Sequence, residues 1–586
     1  MDAARVTATA GAVNRCLLAL AAVMLLPAIS YSQQPNLESS SSPDPPLLAG
    51  QFALARQYAE DQQWREVVRI AENHVSPASP ELNYYYGLAL AHLGRLDDAH
   101  RVLLAGAHQL PADKRFALEL AGVEFRRKQR KATVFWLRRA LELDPNDEYA
   151  SNFLGTAYFL ENNLEAALKY WNRAGKPKIA NIHNEPEPRT RAALLDSAFA
   201  FSPGSLLTLP DLLTTEARLR NLGVFSRQSL TLAALPDGGF DATFRFRERN
   251  GMGRTRKEKA LNFFRGIVAQ TVYPEYFNIG GSGVSFRSRV RWDEQKRRFF
   301  ASFSGPLRGN TARHFNIGVD ARNENWDIRH SSRGPAPILA GLNLRRQAAV
   351  AEISFIPSGR WNWTTGVEWS HRDYRSIVEG DVFTPALLLG GHQLKNTAQL
   401  NHEMLRIPEH RFVVTGSASS ELGRIWSQPS HVFGKLQADT RLHWYPQAQG
   451  DDYEVQGSFH AGKIFSEVPF DELFLLGLER DNDLRLRAHV GSRRGRKGSA
   501  PLGRSYFLSN WEADKTVWGN AVASVRLSPF VDTARIFDFS PGLATDRWLW
   551  DTGLQTKLRA LGVTVVLTYG KDLRSGSNAF YVSLAR

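Results

Sequence analysis

The nine residues from Val284 to Trp292, VSFRSRVRW, constrain this chain more than any other stretch. Val284, Phe286, Ser288, Val290 and Trp292 fall on one side of an extended chain; Ser285, Arg287, Arg289 and Arg291 fall on the other. Side chains alternate with a period of 2 along a strand, so one face is apolar and the other cationic. The pattern recurs. Phe315, Ile317, Val319 and Ala321 oppose His314, Asn316 and Asp320. Trp361, Trp363, Thr365, Val367 and Trp369 oppose Asn362, Thr364, Glu368 and Ser370. Leu436, Ala438, Thr440, Leu442 and Trp444 oppose Lys435, Gln437, Asp439, Arg441 and His443. A soluble sandwich can carry such dyads, but rarely whole faces of Arg, Asp and His beside Trp-rich ones. A transmembrane antiparallel β-barrel requires them, apolar side chains toward lipid and polar ones toward a wet lumen. Arg287, Arg289 and Arg291 are therefore expected to be basic residues facing the lumen.

The N-terminus points to export. Arg5 and Arg15 precede an apolar run from Cys16 to Ala28, with small residues at Ser30 and Ser32. That is a charged n-region, a short h-region and a cleavage site, so residues 1–33 read as a signal peptide. The run is shorter than the ~20 apolar residues a spanning helix needs. Cys16, the only cysteine, lies in the part to be removed, which leaves the mature chain without disulfide or thiolate chemistry. The outer membrane of a Gram-negative-type cell is the expected destination, with the N-terminal domains in the periplasm. The formal charge of +14 would suggest nucleic acid in a cytosolic protein, but export argues against that partner.

A linker over 34–49, Ser/Pro-rich from Ser39 to Pro46, leads into a repetitive helical region over 50–177. Gly87, Gly122 and Gly155 recur at spacings of 35 and 33 residues, and Ala99, Ala132 and Ala166 at 33 and 34. Pro111, Pro145 and Pro177 close successive units. Small residues at fixed points let antiparallel helices approach, and proline ends the second helix of each pair. With GLALAHLGRLDDA, GVEFRRKQRKA and GTAYFLENNLEAA in register, the period resembles the tetratricopeptide repeat, an α-solenoid. A degenerate first unit, Phe52 to Glu72, lacks the glycine and reads as a cap. The resemblance implies a surface for a client or a periplasmic accessory protein; a rigid spacer is the plainer alternative.

Residues 178–196 are polar, contain Pro186 and Pro188, and read as a second linker. Over 197–250, Thr208 can cap a helix whose apolar stripe is Leu212, Leu213, Leu219 and Leu222, and Gly223 is a stop. Two alternating strands follow, Ser226 to Leu235 and Phe240 to Glu248, joined by Pro236-Asp237-Gly238-Gly239. This small α/β unit, with TEARLRNLGVFS and the closing FRFRERN, resembles the end of a polypeptide-transport-associated (POTRA) domain.

Such a unit before a barrel resembles the BamA/TamA-type outer-membrane assembly superfamily, which also contains two-partner-secretion transporters. Three distal segments carry the likeness. PFDELFLLGLERDNDLRLRAHV, from Pro469, resembles a strand and long inward loop whose hydrophobic–Arg–Gly–aromatic signature falls on Leu486, Arg487, Ala488 and His489. SYFLSNWEADKTVW resembles the next strand, with Glu512 toward the lumen. PFVDTARIFD resembles the strand after it, with Phe530, Asp532 and Ala534 on the aromatic-x-Asp-x-Gly signature. Alanine replaces glycine in both signatures. A desolvated guanidinium needs an anionic partner, and Glu512 and Asp532 supply carboxylates that its fork matches. The resemblance implies that Arg487, Glu512 and Asp532 lock the loop; Arg485 is the competing arginine, and unconnected lumen charges are the plain alternative.

Residues 251–586 suffice for roughly 16 strands at 9–11 residues each plus turns. GRTRKEK, Gly253 to Lys259, reads as a basic connection at the periplasmic rim. The last strand places Phe580, Val582 and Leu584 on one face, but the chain ends on Arg586 rather than an aromatic residue. No enzyme is expected. Gly280-Gly281-Ser282-Gly283 is not a nucleophile elbow, Asp451-Asp452 sit beside Gly450 as on a turn, and no histidines show metal-ligand spacing. Neither cofactor nor metal is implied. The superfamily likeness implies a protein assembly or translocation factor acting on client outer-membrane or secreted proteins. A dedicated secretion pore for one protein, or for an anionic polymer along a cationic lumen, is the alternative, and a passive pore or envelope-anchored docking protein the structural one.

Overall fold

Two helices can cross closely only where one of them lacks a bulky side chain, and the helical region obeys that rule in part. The computed structural model describes residues 46–585 apart from 73–78, 254–258, 261–262, 265, 268–269, 330–337, 379–386, 449, 480, 521, 539–544 and 561–562. The proposed signal peptide, most of the linker after it, most of the basic stretch 253–259 and Arg586 lie outside the described residues. The chain divides into two compact units at Gly106. The first holds α1 (Pro46–Glu60), α2 (Trp64–Glu72), α3 (Pro80–His92) and most of α4 (Leu96–Gln109). A Cβ on Gly87 would lie 2.4 Å from Leu103 Cγ, so α3 and α4 meet at that glycine.

In the second unit, α5 (Lys114–Arg126), α6 (Arg130–Leu143), α7 (Glu148–Leu160) and α8 (Leu164–Trp171) continue as antiparallel pairs. Asp113, Asp147 and Asn163 accept backbone N–H groups at the starts of α5, α7 and α8, which supplies partners for otherwise orphaned donors. Gly155 repeats the role of Gly87, a Cβ there falling 2.3 Å from Trp171 Cδ1. Gly122 does not: a Cβ at that position meets nothing within 4 Å. Regular spacing alone therefore overstates how many of these glycines the packing needs.

The second linker expected from the sequence is a correction. Residues 178–196 contain β1 (Ile179–Glu185) and most of α9 (Ala192–Ala198), which complete a module with α10 (Leu209–Leu222), β2 (Phe225–Ala234) and β3 (Phe240–Glu248). The sheet order is β1–β3–β2, with β1 parallel to β3 and β2 antiparallel to it. In β1 only Ile179 is buried, so the strand is held mainly by its backbone ladder to a partner some 60 residues away. Local polarity hides such a strand. Thr208 caps α10 and Gly223 ends it at φ +68°, as the sequence requires. Phe199, Phe225, Phe244 and Phe246 pack against Leu212, Leu219 and Leu222 beneath the sheet.

The remaining strands close into an antiparallel barrel. They are β4 (Thr271–Val272) and β5 (Glu275–Tyr276), both paired to β6 (Ser285–Trp292), then β7 (Lys296–Leu307), β8 (Asn310–Arg329), β9 (Ile338–Phe355), β10 (Trp361–Val378), β11 (Gly391–Ile407), β12 (Phe412–Trp426), β13 (His431–Trp444), β14 (Tyr453–Phe465), β15 (Ser505–Gly519), β16 (Ala523–Phe537), β17 (Thr545–Ala560), β18 (Val563–Asp572) and β19 (Asn578–Ala585). Outward positions are apolar and exposed, among them Ile317, Val319, Val367, Leu400, Leu422 and Leu436. Exposed tryptophans end strands at both rims: Trp361, Trp444 and Trp518 at one, Trp426 at the other. That exterior, apolar between two aromatic girdles, is what a bilayer demands. No described helix is long and apolar enough to cross a membrane.

The module and the last helical pair sit on one rim. Thr214 Oγ1 accepts the Gly359 N–H at 2.9 Å, and a Cβ on Gly359 would come within 2.3 Å of the Leu213 backbone. At the turn after β11, Asn163 donates to Pro408 O at 2.8 Å, Lys169 pairs with Glu409 at 2.6 Å and Tyr170 donates to it at 2.8 Å. Arg406 bridges Glu165 at 2.7 Å and Glu403 at 2.6 Å. Burial pushes the Glu409 carboxyl up, but the donors Lys169 and Tyr170 outweigh it and hold the group below its ordinary value. A carboxylate so depressed stabilises the contact at neutral pH and loses it only as pH falls below the ordinary glutamate value of about 4.3. The double variant Glu165→Ala, Glu409→Ala should speed proteolytic separation of the repeats from the barrel several-fold at pH 7. Wild-type protein should approach that rate only below about pH 4, with the barrel's heat-modifiable gel migration unchanged in both.

Candidate functional site

Strands β14 and β15 pair directly, Tyr453 with Lys515 through Lys463 with Ser505, so residues 466–504 between them must fold elsewhere. They fold into the barrel. The segment enters at the rim opposite the module, turns through Phe470–Glu472, and pairs Phe474–Leu475 with Leu502–Gly503. A small hairpin, Ser492–Arg493 with Arg496–Lys497, then bridges to Trp326 of β8. The loop brings its own apolar residues with it. Phe470, Phe474, Leu476, Leu486 and Leu502 pack with Trp326, Ile328, Leu342, Leu344 and Phe433 of the wall. The sequence expectation of polar side chains toward a wet lumen holds only in part: beneath the loop, Trp326, Ile328, Leu342, Leu344 and Phe433 are apolar and buried.

Charge ties the loop to the wall in three places. At its base, Asp471 and Glu472 meet Arg372 at 3.0 and 3.2 Å and Arg346 at 3.7 Å each; Lys395 is 3.5 Å from Glu472. Arg372 is among the largest fully buried side chains. Its guanidinium thus leaves water, and among the described residues this cluster and Gln393 support it. In the middle, Glu479 pairs with Lys296 at 2.8 Å, and Asp481 with Arg289 at 2.7 Å and Arg298 at 3.0 Å. Lys497 of the hairpin reaches Glu324 of β8 at 2.9 Å.

At the tip, the structure brings Arg487, Glu512 and Asp532 together. Arg487 donates through Nη2 to Asp532 Oδ1 at 2.6 Å, through Nε to Oδ2 at 3.0 Å and through its backbone N–H to Oδ2 at 2.9 Å. Nη1 pairs with Glu512, and the guanidinium lies over the Phe530 ring, 3.8 Å from its centroid. Lys557 shares Glu512 and reaches Asp514 at 2.7 Å. Arg485, the competing arginine, is exposed. The three basic lumen positions divide. Arg289 is held by Asp481, Arg291 by Asp293, and Arg287 lines a cavity of about 370 Å³ with His314, Asn316 and Asn221 of α10. Two of the three are thus neutralised within the chain and do not form an open cationic track.

Several site residues escaped sequence reasoning. Asp471 and Glu472 lay inside a recognised loop, and alternation placed cations opposite, but only strand register brings Arg346, Arg372 and Lys395 to one point. Gly570 is another. A Cβ there would fall 2.5 Å from the Arg487 carbonyl oxygen and 3.1 Å from Ala488 Cα, so the tip lies directly on this glycine of β18. The run VTVVLTYG carries no mark of that duty.

No family model and no curated protein matches this chain. Among solved structures it is similar to BamA from Haemophilus ducreyi lacking POTRA domains 1–3, at 13% identity, covering 70% of this chain and 85% of that one, with a TM-score of 0.42. It is similar to CdiB from Escherichia coli at 14% identity, 70% and 75% coverage and a TM-score of 0.47. CdiB from Acinetobacter baumannii gives 13%, 70% and 73%, and 0.43. Identities this low transfer no residue roles.

Asp532 is fully buried, and removing the partner of a buried charge costs about 3–5 kcal/mol. Arg487→Ala should therefore free the loop to protease and lower the barrel's heat-modifiable transition. Arg487→Lys should rescue only part of both, since lysine offers no fork. Gly570→Val, which leaves every charge in place, should show the same loop exposure.

Proposed function

We propose that this chain is an outer-membrane assembly or translocation factor of the BamA/TamA kind, which inserts or passes client proteins. The observation that carries the reading is the loop: a barrel whose lumen is filled by a segment tied down at three charged points is built to be held shut and released. A permanently open pore has no use for such ties. Release needs no covalent chemistry, because a folding client strand can supply the energy.

The other parts fit that work. The module is read as POTRA-like and lies at the periplasmic mouth. Its β2 pairs, among the described residues, only with β3, so its outer edge can add a client strand through main-chain hydrogen bonds. The helical pairs are read as tetratricopeptide repeats that recruit a client or accessory protein, and the salt bridges at Arg406 and Glu409 hold the last pair, Glu148–Trp171, on the rim. On this reading the signal peptide directs export, the barrel has about 16 strands, and outer-membrane lipid surrounds it.

The second reading is a dedicated secretion pore. Its anionic-polymer form loses support because Asp481 and Asp293 already occupy Arg289 and Arg291; its one-client form stands. Depletion of the protein followed by quantitative proteomics of outer membranes separates the two. Loss of many barrel proteins is the expected result. Loss of one exported protein, with other barrels intact, would overturn general assembly in favour of dedicated secretion, and no change in either would sink both.

A further inference from the structure

Arg487 does not account for all the charge beneath the loop tip. Asp532 of β16 lies directly opposite Asp551 of β17, and Asp551 directly opposite Asp572 of β18. Three carboxylates thus form a row across adjacent strands, all buried. Like charges directly opposite one another in a sheet are destabilising, and burial removes the water that would screen them. Arg487 answers Asp532 and Glu512. Asp551 and Asp572 need another cation.

The tip supplies it. The His489 N–H donates to Leu486 O at 3.0 Å, closing a turn over 486–489 that sets the His489 ring beside Arg487 along the row. Its Nδ1 is 3.1 Å from Asp551 Oδ2, and its Nε2 is 3.8 Å from Asp572 Oδ2. The backbone takes part as well, the Ala488 N–H donating to Asp551 Oδ2 and the Arg487 N–H to Asp532 Oδ2. The two aspartates lie against opposite ring nitrogens, which is the geometry of a bridge. The same three residues also offer ligand atoms within 4.8 Å of one another, so a chelator separates a bridge from a bound metal. The charged groups facing the imidazole are Asp551, Asp572 and Asp532 from the wall and Arg487 from the loop itself.

We infer that His489 is a second positioning residue for the loop tip: its protonated ring spans Asp551 and Asp572 and ties the loop to β17 and β18, the two strands that precede the last one. The inference deepens the proposed function, whose moving part is this loop, but the contact stands whether or not the barrel handles clients. The bridge contributes fully while the ring is protonated and is lost as pH rises above the ordinary histidine range, near 6.5. The tip is then held by Arg487, by the Ala488 N–H on Asp551 and by its packing on Gly570.

The test reads the loop and not client assembly, so it can fail independently of the functional reading. Full-length protein in detergent micelles is digested between pH 5.5 and 8.5, and cleavage within 478–498 is normalised to cleavage in the helical repeats at the same pH. Wild-type cleavage should rise several-fold from low to high pH, with or without EDTA. His489→Gln keeps a donor but no charge and should be cleaved at the high rate throughout; His489→Phe should behave alike. A flat wild-type profile, or a His489→Gln profile with the wild-type slope, would overturn the bridge. Loss of protection on adding EDTA would overturn it in favour of a bound metal. Should neither variant insert, the wild-type profile with and without EDTA decides alone.

Discussion

The barrel's inner wall carries charges that cannot face lipid and, beneath the loop, cannot face water either. A buried ion costs several kcal/mol unless a partner of opposite sign and enough hydrogen bonds replace its hydration. The loop from 466 to 504 is that partner. Asp471 and Glu472 answer Arg346, Arg372 and Lys395; Glu479 and Asp481 answer Lys296, Arg289 and Arg298; Arg487 and His489 answer the aspartate row. Arg346, Lys395 and Arg298 also have wall partners in Glu368, Glu421 and Asp320, whereas Arg372 is paired with loop carboxylates, so loop and wall specify one another.

That mutual dependence bears on how such a barrel can change state. Removing the loop as a whole would expose both sets of charges to water together, where each regains hydration, whereas losing one member of a pair inside the dry lumen leaves an isolated buried ion. The first route is far less costly than the second. The loop is therefore expected to move as a unit, and the apolar contacts of Phe470, Phe474 and Leu486 with Trp326 and Phe433 would open with it. Two fixed features frame the motion. At the opposite rim the Gly359 turn lies on α10 and the Pro408–His410 turn on α7 and α8, so module and helices stay with the wall while the loop leaves.

The candidate site was partly legible in the linear chain. Arg487, Glu512 and Asp532 stood out because a signature likeness picked them and because a guanidinium in a lumen needs carboxylates. Asp551, Asp572 and His489 did not stand out, although they obey the same physics. Their significance comes from cross-strand register, which places Asp532, Asp551 and Asp572 in one row from segments 19 and 21 residues apart. Nothing local distinguishes WDTG or GKDL as part of a charged row. The same blindness turned β1 into a linker, because a strand held by backbone pairing to a distant partner need not advertise itself in side chains.

What the amino-acid order decided by itself was periodicity and its consequences. Alternation at period 2 demanded strands with one lipid-like face. Recurring small residues and prolines demanded paired helices, and Thr208 and Gly223 set the ends of α10. These are local properties, since side-chain direction follows directly from backbone geometry. Tertiary structure alone decided which charges meet, which of Gly87, Gly122 and Gly155 the packing needs, and why Gly570 must lack a side chain. It also filled the lumen, turning part of the wall from a wetted surface into the lining of a core. Those outcomes depend on residues brought together from distant parts of the chain, and only strand register and loop closure set the distances between them.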